Sequence, residues 1–122
     1  MTRPAESHYG QFAKEGYLVL ENALSCDELR RLQRAFDRCA AAARPAWVRE
    51  VAAGTRPAAF FDIPDPLSRE PLFLELVDHP SYIDLLLAFT SDELLFIGAQ
   101  FRVVPSSPLS YVGWHYDVDR QN

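Results

Sequence analysis

The sequence predicts an α+β fold in which N-terminal helices pack against the beginning of a sheet. Up to about residue 93, apolar residues recur mostly at helical spacing, with short β-prone runs between the helices. From Leu94 onward the chain consists of short runs rich in β-forming residues. The 122 residues, 48% of them hydrophobic, suffice for the core of one small domain. We therefore expect one domain, with a mainly helical part over 1–93 and strands over 94–122.

The first helix and strand are predicted before residue 21. Tyr9, Phe12 and Ala13 have helical spacing within residues 6–14. Gly16 follows directly and is suited to ending the helix. The run 17–20 is short and β-prone, which predicts a buried strand.

The clearest local signal is the start of a long helix. Ser25 and Glu28 have the spacing of a capping box, in which each side chain bonds to the other residue's backbone N–H. The apolar stripe predicts an amphipathic helix of about 18 residues, ending before Pro45. The stripe consists of Leu29, Leu32, Phe36, Cys39, Ala40 and Ala43.

Shorter elements follow in the middle and the C-terminal part. A short helix is expected over 47–52, ended by Gly54, and a strand over 58–63, ended by Pro64. Further helices are expected over 71–77 and from Pro80 to Phe89, with Pro80 as the first helical residue. The predicted strands of the C-terminal part are 94–97, 100–104 and 111–118.

Composition excludes several classes of partner. The net charge of −5 and the scattered basic residues argue against a nucleic-acid partner. No run of 18 apolar residues exists, so we expect no membrane span, and the N-terminus lacks the apolar core of a signal peptide. Cys26 and Cys39 lie on one predicted helix, about 20 Å apart, too far for a disulfide. Reduced thiols favour a cytoplasmic location.

One pair of residues near the C-terminus has the chemistry of a metal site. On a strand, His115 and Asp117 project from the same face. One imidazole and one carboxylate are two of the three protein ligands that hold non-haem Fe(II). With three histidines in the chain, however, a His-x-Asp triplet also arises readily by chance. A polar turn is therefore the alternative.

The order of several motifs favours the metal site. The chain resembles the N-terminal half of the phytanoyl-CoA dioxygenase family of Fe(II)/2-oxoglutarate oxygenases. Each motif is only moderately specific, but all recur in the family's order and together they span nearly all of the chain. They are Phe12–Leu20, Leu24–Leu29, Asp78–Phe89, Gln100–Pro105 and Trp114–Asp117.

The resemblance implies a fold and a set of site residues. The fold would be N-terminal helices on the first strands of a double-stranded β-helix (jelly-roll or cupin-like), truncated before closure, so that 1–122 form a single partial domain. His115 and Asp117 would bind Fe(II). Gln100 would lie near the carboxylate of 2-oxoglutarate, with a solvent-facing strand glutamine as an equal alternative. Trp114 would pack beside the site. The activity would be hydroxylation of a small organic substrate.

The resemblance also implies that this stretch of chain lacks part of the site. In the family, a second iron-binding His and an Arg that anchors 2-oxoglutarate lie on later strands, whereas only five residues follow Asp117 here. We expect His79 to cap a helix and His8 to lie at the surface. We therefore expect a fragment that binds Fe(II) and 2-oxoglutarate weakly or not at all, and is inactive alone.

Two alternatives remain open. The first is a non-catalytic remnant or protein-interaction module whose exposed sheet edge binds a partner, with self-association through unpaired strands. The second is one half of a two-chain oxygenase, in which another polypeptide donates the missing His and Arg.

Overall fold

The structure, a computed structural model, describes residues 6–90, 93–104, 106 and 115. The described residues form helices and a two-stranded antiparallel sheet. Within this sheet Phe61 pairs with Val103, and Asp62 pairs with Arg102. The elements in chain order are α1 (Glu6–Glu15), α2 (Cys26–Ala52), β1 (Phe61–Asp62), α3 (Pro66–Arg69), a 3-10 helix (Pro71–Leu76), α4 (Ile83–Phe89) and β2 (Arg102–Val103).

The helix predicted at the N-terminus is confirmed, but the strand after it is not. Gly16 ends α1 with a φ of 76°, a left-handed conformation that glycine adopts without strain, and its N–H bonds to Phe12 O. Residues 17–20 form no strand. Tyr17 is 57% exposed and Val19 is 63% exposed. A β-prone run remains irregular when no neighbouring strand pairs with it, and none of the described residues does so here.

Helix α2 begins as predicted and continues further than predicted. Both capping-box hydrogen bonds between Ser25 and Glu28 are present. The helix has 27 residues and passes through Pro45, so the prediction that it ends before Pro45 was wrong. Proline has no N–H, so the carbonyl of Ala41 loses its intrahelical hydrogen bond. Ala41 is exposed, and water can bond to this carbonyl instead. The short helix predicted over 47–52 is the last part of α2, and Gly54 follows with a φ of 70°.

Packing on both sides of Pro45 explains why α2 continues. Ala35, Cys39 and Ala43 are buried on one face of the helix. On the C-terminal side, Trp47 packs on Phe61 and its indole N–H donates to the Phe60 carbonyl at 3.0 Å. These contacts offset the cost of an interior proline, which is about 3 kcal/mol in an exposed helix.

The core lies between α2, β1 and the 3-10 helix. Small side chains at every fourth position of α2 let aromatic rings approach the helix closely. The ring of Phe73 meets that of Phe101 edge to face, with 4.2 Å between the centroids. The buried cluster consists of Ala35, Cys39, Ala43, Phe61, Ile63 and Phe73.

The middle elements are shorter or shifted relative to the predictions. The strand predicted over 58–63 is reduced to β1, which pairs with β2, and to one further hydrogen bond from Ile63 N–H to Phe101 O at 2.8 Å. The helix predicted over 71–77 is a 3-10 helix, and the one predicted from Pro80 begins at Ile83. Residues 80–82 form a turn instead.

The predicted C-terminal strands are largely absent from the described residues. Leu94–Ile97 has no strand structure, and only Arg102–Val103 of the strand predicted over 100–104 is paired. Apart from His115, which has no regular secondary structure, the strand predicted over 111–118 lies outside the described residues. The double-stranded β-helix therefore stays a prediction.

Two further expectations concern the helices. Cys26 is an exposed and Cys39 a buried free cysteine on the same helix, which confirms that they do not pair. Over the described ranges, no helix combines the length and the apolar character needed to cross a membrane.

Phe61 is the residue whose truncation should damage this core most. It is 2% exposed and contacts α2 through Trp47. Replacing it with Ala should lower the free energy of unfolding by about 3–5 kcal/mol, because a buried ring is lost and a cavity remains. Urea denaturation followed by circular dichroism measures this. The control Leu95→Ala, at a position 86% exposed, should change stability by no more than about 0.5 kcal/mol. Equal effects of the two substitutions would contradict this description of the core.

Candidate functional site

The proposed iron ligands are only partly described. His115 is exposed and lies in a segment without regular secondary structure. Asp117 and Trp114 lie outside the described residues. The placement of the His115 and Asp117 side chains on one face therefore stays a prediction.

Gln100 lies just before β2 and is exposed. The next residue, Phe101, packs between Phe36 and Phe73, so its side chain points into the core. Side chains alternate along an extended chain, which places Gln100 on the side away from these rings. An exposed amide there is able to contact either solvent or a ligand carboxylate. Its role in binding 2-oxoglutarate stays a prediction.

The donor types at the proposed metal site suit Fe(II), but the described part of the chain does not complete the set. Imidazole and carboxylate are the ligands of the 2-His-1-carboxylate triad. Within the described ranges, no three His, Cys, Asp or Glu side chains lie close enough together to hold a metal ion. The assignment of His115 and Asp117 as two of the three ligands stays a prediction, and the described residues add no third ligand.

An ion pair that the sequence analysis missed joins the two strands. Arg102 Nε lies 2.6 Å from Asp62 Oδ1, and its Nη2 lies 3.1 Å from Asp62 Oδ2. The guanidinium also lies over the ring of Phe60, 4.2 Å from its centroid. The hydrogen bond to Asp62 raises the pKa of Arg102, so the guanidinium keeps its charge. The two contacts fix the register of β1 against β2, the last strand described before His115.

A second polar cluster joins the start of α2 to the turn before α4. His79 Nε2 lies 3.2 Å from Glu28 Oε1, and Nδ1 lies 2.6 Å from Ser81 Oγ. The Ser81 N–H points at the same Nδ1 at 3.3 Å, so His79 stabilises the turn before α4. The helix-capping role expected of His79 is not found, because α4 begins at Ile83 after Tyr82 and has no side-chain cap hydrogen bond. The contact with Glu28 was missed, because 51 residues separate the two and no local pattern signals it.

Glu28 is the most strongly perturbed acid in the described structure. Hydrogen bonds from the Ser25 side chain and backbone, and then from His79, hold the pKa of Glu28 at about 2, against 4.5 for an unperturbed glutamate. These bonds favour the ionised form, and they outweigh the opposing effect of partial burial. The carboxylate is therefore charged over the whole physiological range.

The third histidine does not lie as expected. His8 was predicted at the surface, whereas it is half-buried in α1. Its Nδ1 is buried and has no hydrogen-bond partner among the described residues. Two other residues of α1, Tyr9 and Phe12, contact Phe89 of α4.

An apolar groove lies between the C-terminal part of α1, the segment after it and α4. It encloses about 400 Å³. The two hydroxyl groups in its lining are occupied, since Tyr82 donates to Leu76 O and Thr90 donates to Leu86 O. The surface of the groove is therefore mainly apolar. Its lining residues are Phe12, Leu18, Leu20, Tyr82, Leu85, Leu86, Phe89 and Thr90.

Compared with protein-family models, curated proteins and solved structures, the chain shows no match to any of them.

The low pKa of Glu28 predicts a specific dependence of stability on pH. Because the pKa falls from 4.5 in the unfolded chain to about 2 in the folded chain, the stabilising contribution is complete above pH 4.5. It is lost as the pH falls from there toward 2. Urea unfolding midpoints measured between about pH 6 and about pH 3 should fall less steeply in Glu28→Gln than in the wild type.

The matched control is Glu21→Gln, which changes an exposed glutamate that precedes α2. It should retain the wild-type slope between these pH values. If Glu28→Gln retained that slope as well, the network around Glu28 would not be the source of the acid sensitivity.

Proposed function

We propose that the chain is part of an Fe(II)/2-oxoglutarate-dependent dioxygenase of the phytanoyl-CoA dioxygenase family, which hydroxylates a small organic substrate. The observation that supports this most is the ordered set of motifs ending in Trp114-His115-Tyr116-Asp117. The free thiols of Cys26 and Cys39 support a cytoplasmic site of action, where thiols stay reduced.

The described fold is compatible with the proposal in two places. The motif Leu24–Leu29 coincides with the capped start of α2, where the family's long helix would begin. The motif Gln100–Pro105 coincides with β2, where the resemblance requires a strand ahead of the metal ligands. The helix and the strand occur along the chain in the order that the family's motifs require.

The proposed roles follow from the donor chemistry of the residues. The His115 imidazole and the Asp117 carboxylate hold Fe(II), and the Gln100 amide donates a hydrogen bond to a carboxylate of 2-oxoglutarate. When bound, iron and 2-oxoglutarate supply the oxidising chemistry that hydroxylation requires. Two protein ligands hold the metal loosely, and none of the 122 residues matches the family's anchoring Arg. The chain by itself is therefore inactive under this proposal.

A second candidate function is a protein-interaction module. Leu95 is 86% exposed and Ile97 is 90% exposed, next to two further exposed apolar residues, Leu94 and Phe96. Contiguous exposed apolar residues of β-prone type favour pairing with another chain. The partner chain could also be a second copy of this chain, which would bind through the same exposed segment. It is also compatible with a two-chain oxygenase in which the second polypeptide covers this segment and supplies the missing ligands.

Iron binding tests the first proposal. Anaerobic titration of the chain with Fe(II), followed by calorimetry, should show weak binding at one site. His115→Ala should abolish this binding, because it removes one of only two protein ligands. Asp117→Ala should have the same effect.

The matched control is His79→Ala, which removes an imidazole that contacts Glu28 and Ser81. It should leave the iron affinity unchanged. Tight binding together with a charge-transfer band of iron-bound 2-oxoglutarate would contradict the claim that the isolated chain lacks a complete site. Iron binding that survives His115→Ala would contradict the assignment of the ligands.

Self-association tests the second candidate. Leu95→Lys should weaken concentration-dependent association by about tenfold or more, since it places a charge in the apolar contact. Sedimentation equilibrium measures the association constant. The control Val48→Lys changes a half-exposed position of α2 and should have no such effect. A monomeric wild type at all concentrations, or equal effects of both substitutions, would argue against association through this segment.

A further inference from the structure

Three polar side chains from two distant parts of the chain form a hydrogen-bonded row that the iron proposal does not use. Glu28 lies in the first turn of α2, and His79 and Ser81 lie in the turn before α4. The imidazole stands between the other two, 3.2 Å from the Glu28 carboxylate and 2.6 Å from the Ser81 hydroxyl. The His79 side chain is 11% exposed, whereas Ser81 is exposed. Ser81 is therefore accessible from solvent, whereas the imidazole is largely covered.

The position of the proton on His79 follows from its two neighbours. Glu28 is ionised at neutral pH and only accepts hydrogen bonds, so in a neutral imidazole Nε2 carries the hydrogen and donates a hydrogen bond to the carboxylate. Nδ1 then presents a lone pair. The Ser81 backbone N–H also points at Nδ1, which agrees with an unprotonated nitrogen there. The Ser81 hydroxyl is consequently the donor in its contact with Nδ1.

We propose that Ser81 is a nucleophile, activated by His79 as general base and by Glu28 as the group that orients the imidazole, and that it accepts an acyl group from an activated ester. A serine within hydrogen-bond reach of a base, with the base held by a third group, is the arrangement that activates hydroxyl nucleophiles. The Ser81 Oγ–carbon bond forms while the ester C–O bond breaks. The hydroxyl proton passes to His79 Nδ1 and then to the departing alcohol.

The surrounding backbone limits this reaction to acyl transfer without rapid turnover. Rapid hydrolysis requires N–H donors aimed at the developing oxyanion. The nearest backbone N–H groups are already occupied: that of Ser81 points at His79 Nδ1, and those of Tyr82 and Ile83 donate to the His79 carbonyl. Without such donors both steps are slow, but the alcohol of an activated ester leaves more readily than the Ser81 alkoxide. The acyl group should therefore accumulate on Ser81, so that one equivalent of alcohol is released in a burst.

The test uses p-nitrophenyl acetate and the metal-free chain. Nitrophenolate release gives the rate, and peptide mass spectrometry locates the acetyl group. The reference is Ser68, an exposed serine of α3. Ser81 should be acetylated about 100-fold faster than Ser68, because general-base assistance accelerates a reaction by about 100-fold or more. Ser81→Ala should abolish the burst. His79→Gln and Glu28→Gln should each slow acetylation at Ser81 and leave the rate at Ser68 unchanged.

Two results would overturn the proposal. The first is acetylation of Ser81 no faster than of Ser68, which would mean that the cluster only caps the turn. The second is an unchanged rate at Ser81 in Glu28→Gln with a wild-type circular dichroism spectrum. Glu28→Gln remains a valid test even if His79→Gln perturbs the turn. The side chain introduced at position 28 retains an oxygen that accepts the Ser25 N–H, so the start of α2 stays capped. Neither result bears on iron binding at His115.

Discussion

The packing of one face of α2 against a set of aromatic side chains is the contact on which the other described elements depend. Ala35, Cys39 and Ala43 expose almost no surface, and they present a flat strip along the helix. Phe61 and Phe73 meet this strip from β1 and from the 3-10 helix. Larger residues on the strip would hold the helix away from the rings, and the buried apolar contacts that stabilise the chain would be lost. The same contact keeps α2 continuous across Pro45.

Polar links tie the other parts of the chain to this packed centre. Arg38 bonds to Glu70 at 2.7 Å and attaches the middle of α2 to the start of the 3-10 helix. Glu28 attaches the first turn of α2 to His79, and Asp62 attaches β1 to Arg102. Partly exposed pairs of this kind add modestly to stability. Their effect is to define the path of the chain, because each link joins segments that are distant in sequence.

Structural features that depend on neighbouring residues could be predicted from the sequence, whereas features that depend on contacts between distant residues could not. The Ser25 capping box, the apolar stripe of α2 and the stop at Gly16 each depend on residues within one or two turns. The end of α2 was mispredicted because Trp47 and Phe60, on the far side of Pro45, hold the helix in place. The strands predicted over 58–63 and 100–104 shrank to one pair of two-residue strands, because a strand exists only where another strand meets it. For the candidate site, the pairing of His115 with Asp117 is a prediction from spacing together with the order of the motifs, whereas the cluster of Glu28 and His79 required the folded structure.

The central functional claim is that one imidazole and one carboxylate of this chain bind Fe(II). X-ray absorption spectroscopy of the iron-loaded chain reports the number of imidazole ligands directly. The account predicts the scattering of a single imidazole, with the remaining positions filled by oxygen donors, and it predicts that the imidazole signal disappears in His115→Ala. A wild-type spectrum without imidazole scattering, or an imidazole signal that persists in His115→Ala, would contradict it.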